Sequence, residues 1–445
     1  MKNKLFGILT LCITGGSLLL LGGCQQKYKS KDPTLIVTPV VYTNTQIDPF
    51  DHLPVAEQTM DVDVFYATNR KRKGEMDNPT YTNGMDKVLR IGQATVRLGN
   101  EDLTWPELHA ASISAERSAE IPVNVVDVKE CGVLNANVTG KPLKYSLAEK
   151  HTIGDAAFAA AINEQLAKSS VKEINLYMHG FKVPFEHGPR LAGQLHHFGA
   201  RQGVMIAFDW ACRQKDITYG SDERRARKSV DDLAEFLLFL AQNTDAERIS
   251  MICWSAGAPI MSNALVNLRD RYPELDHAGL RAKLKLHTII FAASDVDFRE
   301  FVKDLKRFSE LPKRVIVTVC YEDPQLELSR TIHLTRSRLG SLNMKELLAS
   351  EIEDLEPYLH RMEFIYITYD QGAIMETGTA TGHHYFFRNP WALTDVLSAL
   401  YLDLPAKERG LEPLEGEAYT WYFPEDYPQR SAETILKVRR MRNQK

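Results

Sequence analysis

Ile249-Ser-Met-Ile-Cys-Trp-Ser-Ala-Gly-Ala-Pro-Ile260 is the stretch whose reading decides the fold. Its first half is apolar and strand-like, it breaks at Trp254-Ser255-Ala256-Gly257, and its second half turns helix-like. A sharp strand-to-helix turn that makes a serine protrude is the sequence form of a nucleophile elbow. Such a turn needs small neighbours, and Gly257, two positions after Ser255, supplies one. Two positions before stands Cys253 rather than the usual glycine, so the motif departs from G-x-S-x-G. Serines after strands also commonly cap helices, so Ser255 needs partners before it acquires a role.

Outward from the elbow, apolar runs at 174–178, 204–208, 249–253, 286–292, 315–320 and 364–368 alternate with helical stretches. The helical candidate at 221–243 opens on a capping serine and acidic residues, then places Ala226, Val230, Leu233, Leu237, Leu240 and Ala241 at helical spacing. Short, nearly continuous apolar runs separated by helices predict an α/β fold, a doubly wound and mostly parallel sheet with helices on both faces. The last helix of that sheet is expected at about 389–401, and functional loops belong at the carboxyl ends of the strands. Earlier, strands are expected at 61–68 and around 89–98. Between 99 and 165 little is legible beyond room for a hairpin and a helix near 153–168. Residues 406–445 carry aromatics without a clear period and read as a packed extension ending in a short helix.

A serine hydroxyl is a weak nucleophile near neutral pH, so Ser255 needs a histidine to take its proton and a carboxylate to orient that histidine. His383, in Thr381-Gly-His-His-Tyr-Phe386, follows the last apolar run of the sheet and precedes the last helix, with His384 as its competitor. For the acid, Asp323 follows the run at 315–320; Asp295, Asp297 and Glu322 are rivals, and an acidic residue at a strand end is often only a helix cap. His179-Gly180-Phe181 ends the run at 174–178, where backbone N–H groups could face a developing oxyanion. Phe181 and Ala256, the residue after the serine, are the expected donors.

The remaining chemistry is limited by composition. With 445 residues, 44% of them hydrophobic and 25% charged, the chain can bury one large core. A formal net charge of −4 without a basic stripe gives no support for nucleic acid as a partner. His196 and His197, or His383 and His384, lack a cysteine or carboxylate at ligand spacing, so no metal site is expected. Cys131, Cys212, Cys253 and Cys320 have no C-x-x-C spacing and read mostly as buried small hydrophobes.

Lys2 and Lys4 precede an apolar run, 5–21, that ends in Leu21-Gly-Gly-Cys24. This resembles the lipobox of bacterial lipoproteins, which implies a signal peptide at 1–23, cleavage before Cys24 and lipidation of that cysteine; an uncleaved membrane anchor is the alternative. Residues 24–58 then read as a lipidated N-terminus and tether, followed by a domain at 59–405 and the extension at 406–445. Lipidation would fix the protein to the bacterial cell envelope by its N-terminus. Gln25 stands where an aspartate would signal inner-membrane retention, which points to the outer membrane in a Gram-negative cell.

Six short motifs occur in order: Val64-Phe-Tyr-Ala-Thr-Asn-Arg70, Met178-His-Gly-Phe-Lys-Val183, Phe208-Asp-Trp210, Trp254-Ser-Ala-Gly257, Asp323-Pro-Gln-Leu-Glu-Leu-Ser329 and Gly382-His-His-Tyr-Phe386. Together they resemble a bacterial α/β-hydrolase family of largely unassigned function over roughly residues 60–402. The resemblance implies Ser255 as nucleophile, Asp323 as acid and His383 as base, in a serine esterase or lipase that needs no cofactor. Its substrate would be a small-molecule or lipid ester. Cys253 and Trp254 stand where the family usually has His or Gly, and Asp323-Pro324 replaces the more usual Asp-Arg or Asp-Trp. The indole beside the elbow suggests a narrowed site, so a catalytically silent hydrolase fold that binds an envelope component or partner is the second reading.

Overall fold

The computed structural model describes residues 33–43, 47–135, 151–212, 219–335, 337–368, 382–417 and 419–443. Among the described residues eleven strands form one sheet: β1 Asp61–Lys73, β2 Thr80–Leu98, β3 Val123–Val133, β4 Glu173–Met178, β5 Val204–Asp209, β6 Arg248–Trp254, β7 Leu286–Ala292, β8 Arg314–Val319, β9 Met362–Tyr366, β10 Glu412–Pro413 and β11 Thr420–Tyr422. Their order is β10-β11-β9-β8-β7-β6-β4-β5-β1-β2-β3. From β11 to β1 every pairing is parallel, while β10 and the β1–β2–β3 meander pair antiparallel. This is the expected doubly wound α/β sheet, and its apolar runs are the central strands. Every residue of β4, β5 and β7 is buried, because helices cover both faces and leave no polar side for alternation to mark.

The register sets the site. Met178 at the end of β4 pairs with Phe208 of β5 and Cys253 of β6, and Trp254 pairs with Ala292 of β7. The loops that begin at His179, Trp210, Ser255 and Ala293 therefore leave the sheet at one level, at the carboxyl ends of its strands. Thr68 of β1 pairs with Asp209, which brings Asn69 and Arg70 to the same rim.

The ends of the chain differ from the sequence expectation. Residues 35–43 and 47–58, assigned above to a tether, are docked: the Leu35 N–H donates to the Ile121 carbonyl at 2.8 Å, and the Ile36 N–H donates to Gln194 Oε1 at 2.7 Å. Val41 and Ile47 pack with Ala432, and Phe50 lies 4.6 Å from the ring of His197 and 5.5 Å from that of Trp105. An irregular segment can bury isolated apolar anchors without any period, so periodicity could not reveal them. The extension is equally integral, for β10 and β11 continue the sheet and a 17-residue helix, Tyr427–Asn443, closes the chain. Leu35–Lys445 accordingly form one compact unit rather than a domain with a boundary at 59 or 405. In the stretch that read poorly, the structure places a helix at Trp105–Ser112, the strand β3 and a helix at Asp155–Lys168.

Cys24 and the apolar run at 5–21 lie outside the described residues. Among the described residues no helix is long and apolar enough to cross a membrane. Cys212, Cys253 and Cys320 are buried, Cys131 is half-buried, and no disulfide joins them.

Candidate active site

β6 ends at Trp254, Ser255–Gly257 form one tight turn, and the helix Ala258–Arg271 follows. Ser255 has a φ of 52°, in the left-handed region that a residue with a Cβ occupies only when its surroundings enforce it. The enforcement is visible. The Asp295 N–H donates to the Ser255 carbonyl at 3.1 Å, and a Cβ on Gly257 would come within 3.1 Å of the His179 carbonyl oxygen, so the turn packs tightly on the neighbouring loop.

Against this turn stands His383, whose Nε2 lies 2.7 Å from Ser255 Oγ and whose Nδ1 lies 2.8 Å from Asp323 Oδ2. All three side chains are buried. A carboxylate only accepts, so Nδ1 carries the hydrogen; Nε2 is then the acceptor for the serine hydroxyl. Asp323 fills both roles that the sequence left open. Its Oδ1 accepts the N–H groups of Gln325 (2.9 Å) and Leu326 (3.1 Å) and so caps the helix Pro324–His333, while its Oδ2 holds the histidine. Pro324 fits the first turn of that helix, where its missing N–H is no loss.

The rival acids are occupied elsewhere. Asp295 accepts from Ser329 Oγ at 2.6 Å and pairs with Arg338 at 3.3 Å. Asp297 accepts the N–H groups of Arg299 and Glu300 and caps the helix Phe298–Phe308. Glu322 lies 3.9 Å from Cys320 Sγ. His384, the rival base, packs with its ring centroid 4.9 Å from the indole of Trp254.

Trp254 does not open onto solvent as a pocket-narrowing residue would; it is buried. Its indole N–H donates to the His383 carbonyl at 3.1 Å, and its ring lies within 6.4 Å, centroid to centroid, of His383, His384, Phe386, Phe387 and His187. The side chain that distinguishes this elbow thus supports the turn bearing the histidine. Cys253 points the other way, its thiol 3.4 Å from the Ile290 carbonyl, and burial pushes its pKa well above that of a free thiol. Tyr385 was missed as a supporting residue. Its hydroxyl donates to the Thr318 carbonyl at 3.1 Å and accepts the Ala293 N–H at 3.0 Å, tying the histidine turn to the ends of β7 and β8. Its place two residues after His383 in a quoted motif was the only signal.

Gly180 faces the serine so closely that a Cβ there would meet Ser255 Cβ at 2.9 Å and Trp254 at 3.4 Å. Phe181, beside it, packs on Trp210 with ring centroids 5.6 Å apart. Ala256 begins the helix-ward half of the elbow, so the loop of Phe181 and the turn of Ala256 flank Ser255 from two strands. The geometry yields a prediction: Gly180→Ala should lower any hydrolytic turnover at Ser255 tenfold to a hundredfold, since a misplacement of about an ångström already disturbs near-attack geometry. The melting temperature should also fall modestly, because the added methyl must displace the Ser255 turn, although φ at Gly180 is not positive and adds no backbone strain. Unchanged turnover would show that the loop can yield without consequence. Among the described residues no group of three or more His, Cys, Asp or Glu side chains could hold a metal ion.

The family comparison agrees with the sheet. Residues 154–390, more than half of the chain, match the model of a family described as "Alpha/beta hydrolase of unknown function (DUF900)". No curated protein matches the chain. Similar solved structures include the apo form of Thermogutta terrifontis esterase 2, with 15% identity, a TM-score of 0.29, and coverage of 52% of this chain and 82% of that one. Another is a lipase-esterase related protein from Clostridium acetobutylicum, with 11% identity, a TM-score of 0.28, and coverage of 52% and 95%.

Proposed function

The chain belongs to this α/β-hydrolase family of unknown function, and from that premise we propose that it is a serine hydrolase that cleaves carboxylic esters through an acyl-enzyme. The observation that carries the reading is the buried line from Ser255 Oγ through His383 to Asp323, at 2.7 and 2.8 Å.

In the first step Ser255 Oγ attacks the ester carbonyl and its proton passes to His383 Nε2, giving an imidazolium whose Nδ1–H stays on the Asp323 carboxylate. The carbonyl oxygen becomes an oxyanion facing the N–H groups of Phe181 and Ala256; one such donor is typically worth about 3–4 kcal/mol of transition-state stabilisation. Collapse of the tetrahedral species breaks the bond to the alcohol oxygen, which leaves with the proton from Nε2. Water, deprotonated by the same nitrogen, then attacks the acyl-serine, and the carboxylic acid departs as Ser255 regains its proton. No step calls for a cofactor. A catalytically silent reading required His383 out of reach of Ser255, and a separation of 2.7 Å does not favour it.

The test is covalent. A fluorophosphonate should form one adduct, on the peptide containing Ser255, and Ser255→Ala should abolish it; equal labelling of both forms would overturn the proposal. Envelope anchoring is part of the same proposal and rests on Leu21-Gly-Gly-Cys24. Metabolic labelling with palmitate should mark the wild-type protein and not Cys24→Ser, and a label that survives this substitution would remove the lipid from Cys24.

A further inference from the structure

Arg70 is one of the largest fully buried side chains of the protein, and it stands at the rim of the site without touching Ser255, His383 or Asp323. A buried guanidinium is costly unless its charge and donors are matched; Arg70 Nη1 donates to Asn83 Oδ1 of β2 at 3.1 Å, and the other matches fall on one loop or its support. Arg70 Nε donates to Asp209 Oδ1, at the end of β5. Arg70 Nη2 donates to the Val183 carbonyl at 3.0 Å and lies 3.5 Å from His179 Nε2, which is also 3.4 Å from Asp209 Oδ1. Burial opposes the charge, but the carboxylate of Asp209 and the neighbouring Cys212 more than offset it, and the pKa of Arg70 rises.

The same loop is held from three further points. His179 Nδ1 lies 2.7 Å from the Gly180 carbonyl oxygen; that oxygen can only accept, so Nδ1 carries the hydrogen and the ring fixes the next peptide. The Trp210 indole N–H donates to the His179 carbonyl at 2.8 Å, and its ring stacks on the imidazole at 5.5 Å and 10°. Asn69 in turn fixes the residue after Trp210, accepting the Ala211 N–H at 2.8 Å. The carbonyls of His179, Gly180 and Val183 are thus each committed to a buried donor. A peptide plane whose carbonyl is fixed has its N–H direction fixed as well, and the N–H of Phe181 belongs to the plane whose carbonyl is that of Gly180.

We propose that Arg70, Asp209 and Trp210 are positioning residues for the oxyanion loop, clamping the carbonyls of His179 and Val183 and, through the His179 ring, that of Gly180, so that the Phe181 N–H stays aimed at the substrate oxygen before substrate arrives. The inference rests on the serine-hydrolase reading and gives one purpose to three motifs, Asn69-Arg70, His179-Gly-Phe181 and Asp209-Trp210, that the Ser255–His383–Asp323 line leaves unused. A donor held in place in advance costs no reorganisation at the moment of reaction, which is the reason to bury so expensive a clamp.

The test uses the full-length protein and two variants. Trp210→Phe keeps an aromatic ring against His179 and removes only the N–H donor; Arg70→Lys keeps a charge beside Asp209 and loses the fork that reaches Val183. Turnover and KM for p-nitrophenyl acetate are measured beside Ki for a trifluoromethyl ketone, which forms a tetrahedral oxyanion adduct on a reactive serine. For Trp210→Phe the expected result is a turnover about tenfold lower, a KM within twofold of wild type, a Ki raised by the same factor as turnover falls, and an unchanged pH profile, since the Ser255–His383–Asp323 line is untouched. Arg70→Lys should do the same more strongly; if it fails to fold, Trp210→Phe decides alone. Wild-type turnover in Trp210→Phe, or reduced turnover with an unchanged Ki, would overturn the proposal. A wild-type protein that takes up neither fluorophosphonate nor ketone would instead sink the serine-hydrolase reading, and this inference with it.

Discussion

Replacing Ser255 by alanine is expected to cut turnover of an ester by about 10⁶-fold, replacing His383 by alanine to do nearly the same, and the double variant to be no slower than either. The reason lies in the line they form: His383 Nε2 has no proton to accept without the hydroxyl 2.7 Å away, and the hydroxyl is inert without the nitrogen. Removing either removes the whole unit. What persists is the contribution of the oxyanion loop and of substrate binding, so the residual rate should be the same in all three variants. Asp323→Asn should cost less, about 10⁴-fold, and it separates the two duties of that side chain. Asparagine still caps a helix, so the Gln325 and Leu326 N–H groups keep an acceptor and the melting temperature should hold. Asp323→Ala should lose turnover and, in addition, about 1 kcal/mol of stability. Initial rates with p-nitrophenyl esters, beside thermal unfolding, distinguish these cases. A double variant markedly slower than both single ones would mean that the two residues do not act as one unit.

The second large effect is on stability and lies far from Ser255. Arg409, fully buried, donates from Nε (2.7 Å) and Nη2 (3.0 Å) to Asp395 and from Nη1 to Glu363 at 2.8 Å, joining the C-terminal extension to the helix Pro390–Tyr401 and to β9. Burial pushes the pKa of Asp395 up, and Arg409 works against that. Arg409→Met removes the cation and strands the buried Asp395 carboxylate, while Glu363 keeps Arg314 at 3.3 Å and the Ala406 N–H at 3.0 Å; the loss should cost about 3–5 kcal/mol. A variant that also replaces Asp395 by an apolar residue of similar size, leaving Glu363 with Arg314, should recover most of the loss, because the penalty comes from uncompensated charge rather than from a missing attraction. Denaturant unfolding of the two variants measures the difference; equal destabilisation would show that packing, not charge, governs the site.

The central sheet was legible because it obeys a simple rule. Strands covered on both faces are unbroken apolar runs, and the runs at 204–208 and 249–253 lie within β5 and β6. The order of Ser255, Asp323 and His383 was legible for a related reason, since each follows a recognisable strand. Where residues serve by hydrogen bonding inside a loop, the sequence carried no such period. Nothing in Trp254 as a letter tells that its N–H serves the His383 carbonyl, and the two residues of β10, one of them Pro413, are too short to alternate. The segment at 35–53 was hidden by composition, its few apolar anchors spread among Pro, Thr and Asp.

That segment is also clasped by the last one. The short helix Val40–Thr43 packs on Tyr427–Asn443, and Arg439 reaches the Asp51 carboxylate and the Asp48 carbonyl, each at 3.0 Å. Synthesis runs from the N-terminus, so residues 35–53 can settle first on Trp105, Ile121, Gln194 and His197, and the clasp over them is added only once residues 427–443 have been made. Contacts that span nearly the whole chain carry a high loop-closure cost and form late. The clasp therefore works as a late latch: a truncation before 427 should make residues 35–53 more open to proteases, while the central sheet still resists them.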